Sequence, residues 1–163
     1  MKKTFCILLA LALCLIGAAS AETVANPWVE ATSADIAEAI GAAFGIPEGA
    51  EEITYALMPD QGLAEMNFKL DGIAYTARIQ SAEAFTDIAG LYYEWGEGIP
   101  FSIAGFEGLE RRAKADGEDI ALCQWFDSDM GLMYAVSAIG ADLENVNLAP
   151  VAGAIYAQAE EAE

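Results

Sequence analysis

Apolar and polar positions alternate along the chain with two different periods, and the change of period marks its elements. From Thr32 or Ser33 onward, Ile36, Ala39, Ile40, Ala43 and Phe44 recur at helical spacing and form one apolar stripe. A hydroxyl side chain at the start caps such a helix, Asp35 and Glu38 suit its dipole, and Gly45 followed by Pro47 ends it. Beyond it the period drops to two. Ile53 to Met58 alternates, Pro59-Asp60-Gln61-Gly62 turns, and Leu63 to Leu70 and Ile73 to Gln80 are joined by Asp71-Gly72.

That dipeptide sets a register. With Leu70 facing Ile73, Phe68 meets Tyr75, Met66 meets Ala77 and Ala64 meets Ile79, all on one face. The opposite face carries Glu65 against Arg78 and Asn67 against Thr76. A slip of one residue mixes the two sets, so pattern and turn agree. The Glu65–Arg78 pair reads as a solvated cross-strand contact worth about 0–1 kcal/mol.

Ala82 to Tyr93 reads as a short helix running into an aromatic strand, and Gly96 to Gly108 as a glycine-rich loop. Leu109 to Lys114 and Glu118 to Phe126 form a second hairpin around Asp116-Gly117, setting Lys114 opposite Asp119. The turn Asp127-Ser128-Asp129-Met130-Gly131 leads into Leu132 to Ile139. A last helix starts near Asn147 or Pro150 and turns Leu148, Val151, Ala152 and Ile155 inward. The expected fold is α+β: an antiparallel sheet built from hairpins, flanked by an N-terminal and a C-terminal helix on one face.

The N-terminus changes the picture of where this domain works. Met1 to Thr4 is a positive head, Phe5 to Ile16 is apolar, and Ala19-Ser20-Ala21 offers small residues for cleavage, so residues 1–21 read as a signal peptide. The apolar run spans roughly 18 Å as a helix, short of the ~30 Å hydrocarbon core. Leu13-Cys14 does not fit a lipobox. Residues 22–31 follow as a leader whose Pro27-Trp28 folds back onto the domain, residues 32–159 form a single domain, and 160–163 are an acidic tail. The expected location is periplasmic or secreted, with no membrane span in the mature chain.

After cleavage at Ala21, five basic residues face 26 acidic ones, a net charge of −21. This repels nucleic acid and anionic membranes and favours cations or basic partners. Cys123 is then the only cysteine, and the chain has no histidine. Ser-His-Asp triads, Cys-His pairs and the usual zinc sites are thereby excluded.

Several residue sets invite chemistry. Asp127-Ser128-Asp129-Met130-Gly131 starts like a calcium loop, but Met130 and Ala138 stand where oxygen ligands are needed, so it reads as a turn. The acidic pairs Glu51-Glu52, Glu107 with Glu110, and Glu118-Asp119 are candidates for a glycosidase, which needs two carboxylates across a cleft. Tyr92-Tyr93-Glu94-Trp95 suits stacking on a sugar ring or packing in a core. Arg111, Arg112 and Lys114 either cradle an anion or neutralise Glu110, Glu118 and Asp119 locally. Cys123 has no histidine to activate it and reads as a small buried hydrophobe.

Both faces of the last hairpin are apolar. Ile120, Leu122, Phe126, Leu132, Tyr134 and Val136 are assigned to one face, and Cys123, Trp125, Met133 and Ala135 to the other. The helices cover one face. The second is either a groove or docking patch, or is covered by the loop Gly96 to Gly108.

From Leu122 to Tyr156, Trp125-Phe126-Asp127 followed by Gly131-Leu132-Met133-Tyr134 and a closing helix resembles a domain of unknown function. That domain occurs in exported Gram-positive proteins and in extracellular regions of anti-sigma-factor-like membrane proteins. The resemblance implies an envelope-facing sensing or binding module and brings no catalytic residues.

The expected function is therefore an exported, soluble, non-enzymatic binding or protein-interaction domain of the cell envelope, without cofactor or metal. Its partner is a protein or small molecule. The ligand patch is drawn from Trp125, Met133, Cys123, Tyr92 and Trp95. The alternative is a carboxylate-based hydrolase of envelope glycans, and a third reading is a calcium-responsive domain.

Overall fold

A computed structural model describes residues 26–156. The signal segment 1–21 and the acidic tail lie outside the described residues. One antiparallel sheet of eight strands dominates: β1 (Val29–Ala31), β2 (Glu51–Met58), β3 (Leu63–Leu70), β4 (Ile73–Ser81), β5 (Ile99–Ile103), β6 (Phe106–Ala115), β7 (Glu118–Asp127) and β8 (Leu132–Gly140). Two helices accompany it, α1 (Ser33–Ile40) and α2 (Ala149–Tyr156). The order across the sheet is β1-β2-β3-β4-β8-β7-β6-β5, so the last strand lies at the centre, between two groups of hairpins.

Local chemistry explains most of these elements. Asp71 and Gly72, both at positive φ, make the β3–β4 turn, and the register has Glu65 opposite Arg78 and Phe68 opposite Tyr75, as the sequence pattern requires. Asp116-Gly117 does the same for β6 and β7, with Lys114 opposite Asp119. Thr32 caps α1 in a reciprocal box with Asp35. The helix ends earlier than its apolar stripe suggests. Gly41, at φ +82°, takes the left-handed cap position, and Ala42 and Phe44 continue into the core from an irregular link.

Ile36 and Ile40 of α1 and Val151, Ala152, Ile155 and Tyr156 of α2 join a single core against one sheet face. Met66, Ile79, Trp125, Tyr134 and Val136 provide its floor. Trp125 stacks on Tyr134 at 4.9 Å between centroids, and Tyr156 packs edge-on against both rings.

Three expectations need correction. First, residues 82–98 contain neither helix nor strand, and the second part of the presumed glycine-rich loop is the β5–β6 hairpin. Second, the even-length link from Asp127 to Leu132 pairs odd positions of β7 with even positions of β8, placing Cys123 opposite Val136 and Trp125 opposite Tyr134. Ala121, Cys123 and Trp125 therefore share the helix face with Leu132, Tyr134 and Val136, while Ile120, Leu122 and Phe126 share the other with Met133 and Ala135. Third, that other face is covered, but by residues 82–98 and Trp28 rather than by Gly96 to Gly108. Ile88, Ala89, Leu91 and Trp95 pack there with Met58, Leu63, Leu122, Met133 and Ala135.

Candidate functional site

The face away from the helices carries polar side chains in the middle of the sheet. Thr76 Oγ1 donates to Asn67 Oδ1 (2.7 Å), and Asn67 Nδ2 donates to Glu65 Oε1 (2.8 Å). Arg78 closes the row, donating from Nε to Glu65 Oε2 at 2.8 Å and from Nη2 to the same oxygen at 2.7 Å. The two side chains are only 19% and 15% exposed, so this is a largely sequestered pair and not the solvated contact that the pattern suggests.

Arg78 also builds the cover. Its Nη1 donates to the carbonyls of Ile88 (3.2 Å) and Ala89 (2.6 Å), and its guanidinium lies 5.3 Å from the Trp28 ring centroid. The segment 82–98 is thus a strap that Arg78 ties down near its middle. Asp87 anchors it a second time: its Oδ1 accepts from the Ala89 amide (3.0 Å) and from Nε2 of buried Gln124 (2.9 Å). Gly90, at φ +64°, completes the crossing because a Cβ there would sit 2.4 Å from Arg78 Nη1.

Two clefts flank the strap and share Arg78. One, of about 480 Å³, is lined by Glu65, Asn67, Thr76, Ser137, Ala89 and Leu91 among others. The other, of about 410 Å³, lies between Trp28 and Tyr92, with Gln61, Gln80 and Asp87 on its polar side. A third cleft, of about 420 Å³, opens at the end of the sheet among Glu94, Arg112, Lys114, Asp119, Leu143 and Glu144.

The residues proposed from sequence fall in different places. Cys123, Trp125 and Met133 are fully buried, the first two under the helices and the third under the strap, so they offer no docking patch. Burial, reinforced by Glu110, pushes the Cys123 thiol far above the ordinary thiol range. Tyr134 is raised likewise by burial and then by Asp127 and Tyr156. Tyr93 meets Trp95 edge-on, and Trp95 packs into the strap's apolar underside. Tyr92 is 94% exposed.

The basic cluster is divided by the pleat. Arg112 pairs with Glu110 and donates to the carbonyls of Leu143 (2.9 Å) and Val146 (2.6 Å), clamping the link between β8 and α2. Lys114 bridges Asp119 and Glu144, whose hydrogen bonds hold its ammonium above the ordinary lysine range. Arg111 points to the strap side of the pleat. Glu107 and Glu110 fall on opposite faces of β6, and Glu52 pairs with Lys69 at 2.7 Å.

In the turn after β7, Asp127 Oδ1 accepts from the amides of Asp129 and Met130, and Oδ2 accepts from Tyr156 Oη. Both oxygens serve the fold. Among the described residues no group of three or more His, Cys, Asp or Glu could hold a metal ion, and no helix is long and apolar enough to cross a membrane.

Sequence reasoning missed Trp28, Gln80 and Asp87 as site residues and underrated Arg78. The available signal was an arginine in mid-strand opposite a glutamate, in a chain with few cations. No family model, curated protein or solved structure matches the chain.

Proposed function

We propose that this protein is an exported, non-enzymatic binding domain of the cell envelope that engages its ligand on the strapped sheet face. The carrying observation is the Arg78 hub. It holds Glu65 and the carbonyls of Ile88 and Ala89 at once, fixing clefts of about 480 and 410 Å³ on either side of one rigid crossing. Such volumes fall in the ~300–1,000 Å³ range of small-ligand sites. A cleft whose walls are already held needs little ordering when a ligand enters. The signal-like residues 1–21 support export.

The hydrolase reading finds less support on this face. Glycoside hydrolysis needs two facing carboxylates; among the described residues the Trp28–Tyr92 cleft has Asp87 alone, and the two that line the other cleft, Glu52 and Glu65, are paired with Lys69 and Arg78.

Amide and indole NMR shifts of residues 22–163, titrated separately with envelope glycan, small-molecule and protein fractions, test the proposal. Saturable changes confined to residues 82–98, the Glu65–Arg78 row and the cleft residues Trp28, Gln61 and Gln80 support it. Changes confined to the helix side, or none with any fraction, would overturn it.

A further inference from the structure

We infer that the cleft between Trp28 and Tyr92 takes an uncharged or amine-bearing saccharide, an inference that rests on the reading of the strapped face as a binding face. Tyr92 is 94% exposed, so its ring contributes almost nothing to the core, yet it lines the same cleft as the Trp28 indole. A pyranose ring has an apolar C–H face and a rim of hydroxyl groups. Aromatic walls serve the first, and planar amides and carboxylates serve the second, because each hydroxyl both donates and accepts.

The polar side of the cleft has that chemistry with capacity to spare. Gln80 uses Nε2 on the Gln61 carbonyl (2.9 Å), and its Oε1 has no partner among the described residues. Asp87, which lines the cleft, uses Oδ1 twice, and its Oδ2 has no hydrogen-bond partner among the described residues. Gln61 contributes an exposed amide. These groups also stay in place without ligand, since Asp87 is tied to Gln124 and Gln80 to the backbone.

Charge narrows the class. Among the described residues Arg78 is the one cation lining the cleft, and its guanidinium is committed to Glu65 and two carbonyls, so it has little left for a carboxylate or phosphate. The whole chain carries −19, and Asp87 adds a local negative charge. Uronic or phosphorylated glycans are therefore disfavoured, and an amino sugar gains from the same field.

The test is a titration of residues 22–163 with three soluble tetramers, of N-acetylglucosamine, glucosamine and galacturonic acid, each to about 10 mM. The Trp28 indole N–H resonance is the readout, with buried Trp125 as internal reference. Saturable movement of Trp28 with the neutral or the amine-bearing tetramer, weakened about tenfold by Tyr92→Ala and by Gln80→Ala, is expected. Tyr92→Ala must melt with the parent, since its ring is exposed. The inference is overturned if Trp28 stays unmoved by the first two sugars, if Tyr92→Ala binds within about twofold of the parent, or if galacturonate binds best. Should all sugars fail while envelope fractions still shift residues 82–98, the saccharide assignment falls and the binding face stands.

Discussion

Gly45 is where the fold leaves least room, and its substitution gives the sharpest check on the packing described above. The link from α1 to β2 crosses the end of α2 there, and the Gly45 amide donates to the Ile155 carbonyl at 2.7 Å. A Cβ at this position would lie 2.0 Å from Ala154 O and 2.8 Å from Ile155 O, backbone atoms that cannot rotate away. The link must retreat by about 1 Å or more before the contact reaches the 3.0 Å that real Cβ atoms respect. That retreat breaks the hydrogen bond, worth ~1 kcal/mol, and disturbs Phe44 and Ile155, an overpacking cost of ~1–3 kcal/mol. Gly45→Ala is therefore expected to lose about 2–4 kcal/mol. Guanidinium unfolding followed by tryptophan fluorescence reads this as a lower midpoint at unchanged slope. Gly41→Ala is the control: φ is +82° but no atom lies within 4 Å, so only backbone strain of about 1 kcal/mol applies. If Gly45→Ala costs no more than Gly41→Ala, the close crossing is wrong.

Three further outcomes are expected. Thr32→Ala removes the α1 cap at a cost of ~1 kcal/mol near neutral pH; because the Thr32 side chain and then its amide hold the Asp35 carboxyl below its ordinary range, the stabilisation is present above that range and is lost as pH falls through the lowered value, so the gap between parent and variant should shrink on acidification, and a pH-independent gap would refute the box. In residues 22–163, Cys123 should resist an aromatic disulfide reagent at mildly alkaline pH while folded and react fully once unfolded; reaction at the rate of a free thiol would contradict its burial. Gly90→Ala combines positive φ with a clash on Arg78 Nη1, so it should cost ~1–3 kcal/mol and speed amide exchange over residues 86–92, whereas equal protection there would mean that Arg78 does not hold the strap.

What could be read from the chain follows the range of the interactions involved. Asp71-Gly72 and Asp116-Gly117 specify their hairpins locally, and in the first the two faces also differ, so register and turn reinforce one another there. Antiparallel strands and two helices were legible for the same reason. The β7–β8 register was not. Leu122, Cys123, Trp125, Met133 and Tyr134 are apolar on both faces, so no alternation penalises a slip, and the length of the turn decides. The strap has no periodicity because it is held by side chains outside it, Arg78 on its carbonyls and the distant Gln124 on Asp87, and not by a ladder of its own. For the candidate site, Tyr92 was visible as one of an aromatic run that suits stacking or a core, but Trp28, Gln80 and Asp87 come together only through tertiary contacts.

The central position of β8 sets an order of events for a chain that emerges N-terminus first. Strands β1 to β4 can zip as they appear, and β5 to β7 can do the same, each group by neighbouring hairpins. Neither can join the other until residues 132–140 arrive, because β8 pairs with β4 on one side and β7 on the other. Until then two partial sheets carry open hydrogen-bonding edges at β4 and β7, the sites most prone to pairing with another chain. The sheet is therefore completed by one insertion in the middle of the molecule, before α2 closes over it. A stalled or truncated chain lacking Leu132–Gly140 is left as two sticky halves rather than a smaller version of the domain.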